Sequence, residues 1–186
     1  MKDLSEMTLE ELWQLFPIIL SEPRSCWNNW YKEEKERVVG FLPMREVRIN
    51  HIGSTAINGI WAKPIIDILL EIPVHISMND VKLLLINHGY TCMSEEDTRQ
   101  SFNQGYTNKG FAEKVFHLHL RYWGDNDELY FRDYMNDHAE IAKQYEALKR
   151  SLWEKYEHDR DAYTHAKTSF VERYTECAKR DYKNRY

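Results

Sequence analysis

HIGSTAINGIWAKPIIDILLEI, His51 to Ile72, is the stretch whose reading decides the fold. It reads as strand, Gly-Ser turn, strand. From Val47 to Ile52 the residues alternate, with Val47, Ile49 and His51 on one face and Arg48, Asn50 and Ile52 on the other. Gly53 to Gly59 forms a turn, and Pro64 to Ile72 is a near-continuous apolar run with an acid inside it. That is the pattern of a central strand buried on both faces. Gly53 lets the backbone turn sharply and a ligand approach closely. Ser54 and Thr55 offer hydroxyls and backbone N–H groups suited to a phosphate, and Lys63, just before the second strand, can meet the same negative charge. On a strand, Asp67, Leu69 and Glu71 project to one side. Asp67 and Glu71 are then ~13 Å apart at ~3.3 Å per residue, too far to share one ion.

Outward from this stretch, Thr8 and Glu11 form a capping-box signature ahead of Leu9, Leu12, Trp13 and Phe16 at helical spacing. Pro17 ends that helix, and Ile18 to Leu20 read as a short strand. Ser25 is placed to cap a second helix that ends near Gly40, with Trp27, Trp30, Tyr31 and Val38 on its apolar side. A third helix runs from Ser77 to Gly89, followed by a short strand over Tyr90 to Met93. The polar stretch Ser94 to Gly110 reads as a hairpin or a loop over the sheet, and Val115 to Trp123 as a strong strand. After Asp125 the pattern is helical: Tyr134, Ile141, Tyr145, Leu148, Leu152 and Tyr156 mark one helix, Tyr163, Ala166, Phe170 and Tyr174 another. The expected fold is α/β of the α+β kind, a mixed sheet flanked by helices with a C-terminal helical portion. It is read as a single domain over 1–186, with a mixed α/β core at 1–125 and the helical portion at 126–186.

The composition narrows the function. With 42% hydrophobic residues the chain is too apolar to be disordered, and 7 Gly and 5 Pro are too few for a low-complexity chain or a many-turned β sandwich. Net charge is −5 and neither half is basic, which excludes a sequence-independent grip on duplex nucleic acid. Cys26, Cys92 and Cys177 are widely spaced with no CxxC pair, which suits a reducing compartment and no cysteine metal site. The apolar runs are too short to span a bilayer, and the acidic start MKDLSEMTLEEL is unlike a signal peptide. The expectation is a soluble cytoplasmic protein that takes a small ligand, with no membrane and no duplex partner.

The charged groups that stand out are few. Asp67 inside an apolar strand needs a partner or a cation, because a buried charge is costly alone. The alternatives are a function and an ion pair with Lys63, Arg48 or Arg121. His117 and His119 share one face of a strand, and read either as hydrogen-bonded core residues or as site groups. Arg132 and Asp133 read equally as a forked phosphate binder and as a helix cap with its ion pair. Lys149, Arg150, Tyr163 and Lys167 read by default as a solvated helical face, with Lys149 or Lys167 reaching a phosphate as the alternative, and Trp61 as the tryptophan free to stack on a base.

The stretches HIGST and AKPIID, HLHL from His117, FRDYM from Phe131, and the Tyr145–Arg150 and Ala162–Lys167 segments together resemble the GrpB family of the nucleotidyltransferase superfamily. The resemblance runs roughly from Trp27 to Ala178. It implies the DNA polymerase β-like catalytic fold, a Gly-Ser turn for a triphosphate, and two acids on the next strand that bind Mg²⁺ for two-metal transfer. Gly53-Ser54 and Asp67 match that pattern, but the second acidic position is Leu69, and the later strand carries His117 and His119 in place of a third acid. The implied activity is nucleotidyl transfer to a small molecule, with Asp67, His117 and His119 as catalytic and metal-holding residues. Gly53, Ser54, Thr55, Lys63 and Arg132 would hold the phosphate. The cofactor would be a divalent metal, Mg²⁺ or Mn²⁺, with Zn²⁺ the alternative that two imidazoles suit. Leu69 keeps a second reading open, a non-catalytic nucleotide or phosphometabolite binder on a degenerate transferase scaffold.

Overall fold

The structure is a computed structural model that describes residues 2–183, 185 and 186. It opens with a 3₁₀ turn (Leu4–Glu6) and helix α1 (Leu9–Leu15). The Thr8 hydroxyl accepts from Glu11 N at 3.2 Å and the Glu11 carboxylate accepts from Thr8 N at 2.7 Å, the reciprocal cap expected there. Ile18 and Leu20 are buried and Ile19 is exposed, but the three form no strand. Their backbone is tied elsewhere, with Ile18 N donating to Glu157 O at 2.8 Å and Ser21 exchanging both bonds with Ala62. Helix α2 (Cys26–Phe41) begins as expected, but Ser25 is already helical at φ −61°, ψ −24° and its side chain caps nothing.

Strands β1 (Arg48–Ile52), β2 (Ile66–Ile72), β3 (Thr91–Glu95), β4 (Arg99–Thr107) and β5 (Gly110–Tyr122) form one sheet in the order β1-β2-β5-β4-β3. Between β1 and β2 lies a 3₁₀ turn (Ser54–Ala56), and α3 (Met78–Asn87) precedes β3. β2 pairs antiparallel with β1 and parallel with β5, so the sheet is mixed and β2 is interior. The polar stretch 94–110 is part of the sheet itself: β4 pairs with both β3 and β5, with a register shift between Gln104 and Tyr106 at Gly105. Gly105 has φ +91°, and a Cβ there would run into the Lys114 backbone.

Helices α4 (Asp127–Asp137), α5 (Ala139–Tyr156), α6 (Arg160–His165) and α7 (Thr168–Asp181) follow. The expected mixed sheet flanked by helices, with a helical C-terminal portion, is what the structure has. The alternating faces of β2 create two environments. Ile66, Ile68, Leu70 and Ile72 join Trp27, Val38, Val81 and Leu85 in one core. The other face carries Asp67, Leu69 and Glu71, with Leu69 packed against Ile52 and Leu129. A second core within the helical portion gathers Tyr130, Phe131, Tyr134, Met135 and Tyr145. Trp61 is covered by Arg150, whose guanidinium sits 4.8 Å from the ring, which is a stacking partner of a different kind from a base. No helix among the described residues is long and apolar enough to cross a membrane.

Candidate functional site

The parallel pairing of β2 with β5 places Asp67 opposite His117 and Leu69 opposite His119. His117 Nδ1 is 3.3 Å from Asp67 Oδ1 and His119 Nε2 is 3.7 Å from the same oxygen, so the groups singled out from sequence do converge. The ion pairs considered for Asp67 with Lys63, Arg48 or Arg121 do not form. The His117 Nε2 faces the Tyr106 hydroxyl at 2.7 Å, and Arg160 Nη2 donates to that hydroxyl at 2.9 Å. These contacts fix the proton order. Arg160 donates to Tyr106, Tyr106 donates to His117 Nε2, and His117 donates from Nδ1 to the carboxylate. Burial keeps the His117 imidazole below its ordinary pKa, against the pull of Asp67, and so neutral. Burial alone would raise the pKa of Asp67, but the hydrogen bond from His117 and the nearby His119 hold the carboxyl far below its usual range.

On the other side of Asp67 stands the Gly53 turn. Gly53 has φ +69°, and a Cβ there would fall into the Asp67 carboxylate, 2.8 Å from Cγ. Glycine is therefore required twice, by conformation and by space. The Thr55 hydroxyl donates to Ile65 O at 3.1 Å and lies 2.9 Å from His51 Nε2, so it is engaged in holding the turn against the start of β2. His51 is buried and stacked on Tyr31 at 4.8 Å, and burial pulls its pKa down to about 4.

Asp67 lies at the floor of a cavity of ≈ 1070 Å³ lined by Gly53, Ser54, Thr55, Lys63, His117 and His119 together with Tyr106, Tyr145, Lys149, Arg160, Tyr163 and Lys167. Apolar residues of α1 and the residue after it, Leu9, Leu12, Trp13 and Phe16, also line it, with Phe16 4.7 Å from the Tyr106 ring. The lysines read from sequence as surface groups are placed quite differently. Lys149 is 1% exposed and Tyr163 also 1%. Lys149 Nζ donates to the Trp61 carbonyl and sits 4.9 Å from the Tyr145 ring. The amino groups of Lys63 and Lys167 are 5.4 and 4.4 Å from the centroid of one ring, Tyr163. Burial, then repulsion from Lys167 and Arg160, lowers the Lys63 pKa to about 7. Burial, then Lys167, brings Lys149 to about 7, and burial brings Lys167 to about 8.

Arg132 is not part of this wall. Its Nε donates to Asp133 at 2.7 Å, Nη1 to His51 O at 2.9 Å and Nη2 to the Tyr186 hydroxyl at 3.1 Å, so it fastens α4 to β1. Of the phosphate-binding candidates, Gly53, Ser54, Thr55 and Lys63 line the cavity and Arg132 does not. Sequence reasoning passed over Tyr106 and Arg160 as site groups, and held phosphate contact by Lys149 or Lys167 only as the alternative to a solvated face. A signal existed for some of them: Lys149 is four residues from Tyr145 on the buried side of α5, and Arg160, Tyr163 and Lys167 recur at helical spacing.

The donors present do not suit a pair of divalent metal ions. Among the described residues no group of three or more His, Cys, Asp or Glu side chains has a metal-holding arrangement. The chemistry of the donors gives the reason. Leu69, where a second carboxylate would stand, is 0% exposed and sealed between Ile52 and Leu129. Both ring nitrogens of His117 are engaged, and hard cations ask for several oxygen ligands.

The family model described as GrpB protein matches residues 17–177. The chain belongs to the GrpB family. Among GrpB relatives, it is 35% identical over 164 residues to the glutamate-rich protein GrpB of Alkalihalophilus pseudofirmus, covering 83% of this chain and 92% of that protein. It is 32% identical over 162 residues to the UPF0157 protein YqkA of Bacillus subtilis, spanning 86% of this chain but 46% of that one. The crystal structure of the conserved protein GrpB from Enterococcus faecalis aligns with a TM-score of 0.75 and 26% identity over 88% of this chain and 99% of the other. Every polar group of the cavity floor from Gly53 to Lys167 lies inside the GrpB match, whereas α1 lies before it.

Proposed function

We propose that the chain binds a nucleotide or another phosphorylated metabolite in the cavity above Asp67. The observation that carries this reading is a cluster of unpaired cations: apart from Asp67, the carboxylates of the lining (Asp127, Glu128, Asp161, Glu172 and Glu176) stand at exposed or partly exposed positions. Lys63, Lys149, Lys167 and Arg160 line one cavity, and none of them forms an ion pair among the described residues. Buried charge without a partner is costly, and an anionic ligand is the partner that this wall lacks. The Gly53-Ser54 turn stands beside these cations and permits close approach of a ligand. Three unbridged cysteines fit the reading of a cytoplasmic protein. The test is a thermal-shift screen of nucleotides and sugar phosphates on wild type and Lys63→Ala. Stabilisation of the wild type that is lost in the variant supports the reading, and no stabilisation by any phosphorylated compound sinks it.

Nucleotidyl transfer to a small-molecule hydroxyl is the second reading. Asp67 favours it: an ionised carboxylate on the strand after a Gly-Ser turn, where the family resemblance places the first acid of the superfamily. Leu69 weighs against it, since the acid pair that would hold the metal is absent. Release of pyrophosphate from a nucleoside triphosphate, abolished in Asp67→Asn while binding persists, would favour transfer over binding.

A further inference from the structure

Resting on the ligand reading just given, we infer that the cavity takes a di- or triphosphate group free of any divalent metal, with Lys63, Lys149, Lys167 and Arg160 supplying the charge that metal ions would otherwise supply. The argument starts from how the cations are held apart. Lys63 and Lys167 flank the single ring of Tyr163, one on strand-proximal chain and one at the start of α7. Arg160 stands one helical turn before Tyr163 and is held by the Tyr106 hydroxyl, beside the Asp67 floor. Lys149 reaches in from α5 and is steadied by the Trp61 carbonyl. Four cations from three elements and a loop line one cavity, and a single phosphate, with about two negative charges at most near neutral pH, cannot neutralise all of them. A chain of two or three phosphates is an extended anion of matching charge.

The placement of the carboxylates points the same way. Asp67 already accepts from His117, with His119 beside it, and is ionised without a metal. The other five carboxylates of the lining, Asp127, Glu128, Asp161, Glu172 and Glu176, lie at exposed or partly exposed positions, and Asp127 is paired with Lys179 at 2.6 Å. A Mg²⁺-bound triphosphate carries less negative charge than the free anion, and its metal would stand among Lys63, Lys149, Lys167 and Arg160. Electrostatics here favour the free polyphosphate.

Isothermal titration with inorganic tripolyphosphate, ATP, AMP and orthophosphate, each in EDTA and in excess Mg²⁺, tests this. Tripolyphosphate and ATP are expected to bind in EDTA at least about ten-fold more tightly than AMP or orthophosphate, a gap of about 1.4 kcal/mol, and Mg²⁺ is expected to weaken them. Lys167→Gln, at a half-exposed position, and Lys149→Met, which keeps the aliphatic volume, should each cost about ten-fold in tripolyphosphate affinity. Melting curves would show both variants folded. Binding of ATP only when Mg²⁺ is present, or AMP binding as tightly as ATP, would overturn the inference while leaving the ligand reading intact. Failure of every phosphorylated probe under both conditions would remove the ligand reading itself. If Lys149→Met does not fold, Lys167→Gln alone decides, and its unchanged affinity for tripolyphosphate counts against the inference.

Discussion

The Gly53 Cα hydrogens stand where a side chain would meet the Asp67 carboxylate, so the turn and the floor of the cavity are built around one another. Gly53→Ala adds a methyl group against that carboxylate and forces an L-residue to φ +69°. The expected loss is about 1–3 kcal/mol of stability, read by urea unfolding. Adding Asp67→Gly should relieve the steric part and recover some of it. If the double variant is only as stable as the sum of the two single losses predicts, the two residues are not coupled.

Leu69→Asp restores the acid that the superfamily pattern asks for, but it does so in a sealed apolar pocket with Ile52 and Leu129. A destabilisation on the order of 3 kcal/mol or more is expected, because the new carboxylate has no partner there. Millimolar Mg²⁺ or Mn²⁺ should not restore the melting temperature. A metal-dependent rise of several degrees would show that this position can complete a cation site after all.

Affinity for tripolyphosphate should fall as pH rises from 7 to 9. In the free protein Lys63 and Lys149 titrate near 7 and Lys167 near 8, and a bound polyanion raises all three. Binding therefore takes up protons, and log Kd rises by up to about one unit per pH unit for each lysine involved. Asp67 favours the charged forms of Lys63 and Lys167, and Glu146 that of Lys149; Arg160 and the lysines themselves oppose them. Titration in two buffers of different ionisation enthalpy measures the uptake directly. An affinity flat over this range would show that these lysines do not touch the anion.

Stability should decline as pH falls below 6.5. His51 and His117 are held below their ordinary pKa by burial, so the unfolded chain binds more protons than the folded one over this range. Their contribution is complete above the unfolded pKa and is lost as pH falls, by about 1.4 kcal/mol per pH unit for each histidine kept neutral. For His51 the decline levels off near pH 4, where the folded residue titrates. His51→Asn should make the slope of stability against pH shallower between 6.5 and 4 in urea unfolding series. An unchanged slope would mean that His51 protonates freely in the folded protein.

The floor of the site was legible in the sequence because strands advertise themselves. An acid at one position of an apolar run, a glycine before it and two histidines two apart leave little freedom once the run is a strand, and β2 and β5 place them as alternation implies. The cationic wall was not legible. Lys149 lies on the buried face of α5, but a lysine on a helix ordinarily keeps its head in water, and only the tertiary arrangement shows otherwise. Tyr106 was hidden for a different reason. Strand β4 reads Arg-Gln-Ser-Phe-Asn-Gln-Gly-Tyr-Thr, too polar for hydrophobic alternation to reveal, and it is held by neighbours on both sides. Ile18 and Leu20 show the opposite failure, apolar enough for a strand yet buried as irregular chain.

Helix α1, with its reciprocal Thr8–Glu11 cap, puts Leu9, Leu12 and Trp13 on the lining of the same cavity, and it precedes residues 17–177, which the family model matches. The division of labour follows the chain. On the ligand reading proposed above, the matched portion holds the anion, while a short, separately capped preface lines the room left for the remainder of the ligand. The shape of that room can thus be changed by rewriting a dozen or so residues, without disturbing a single strand of the sheet.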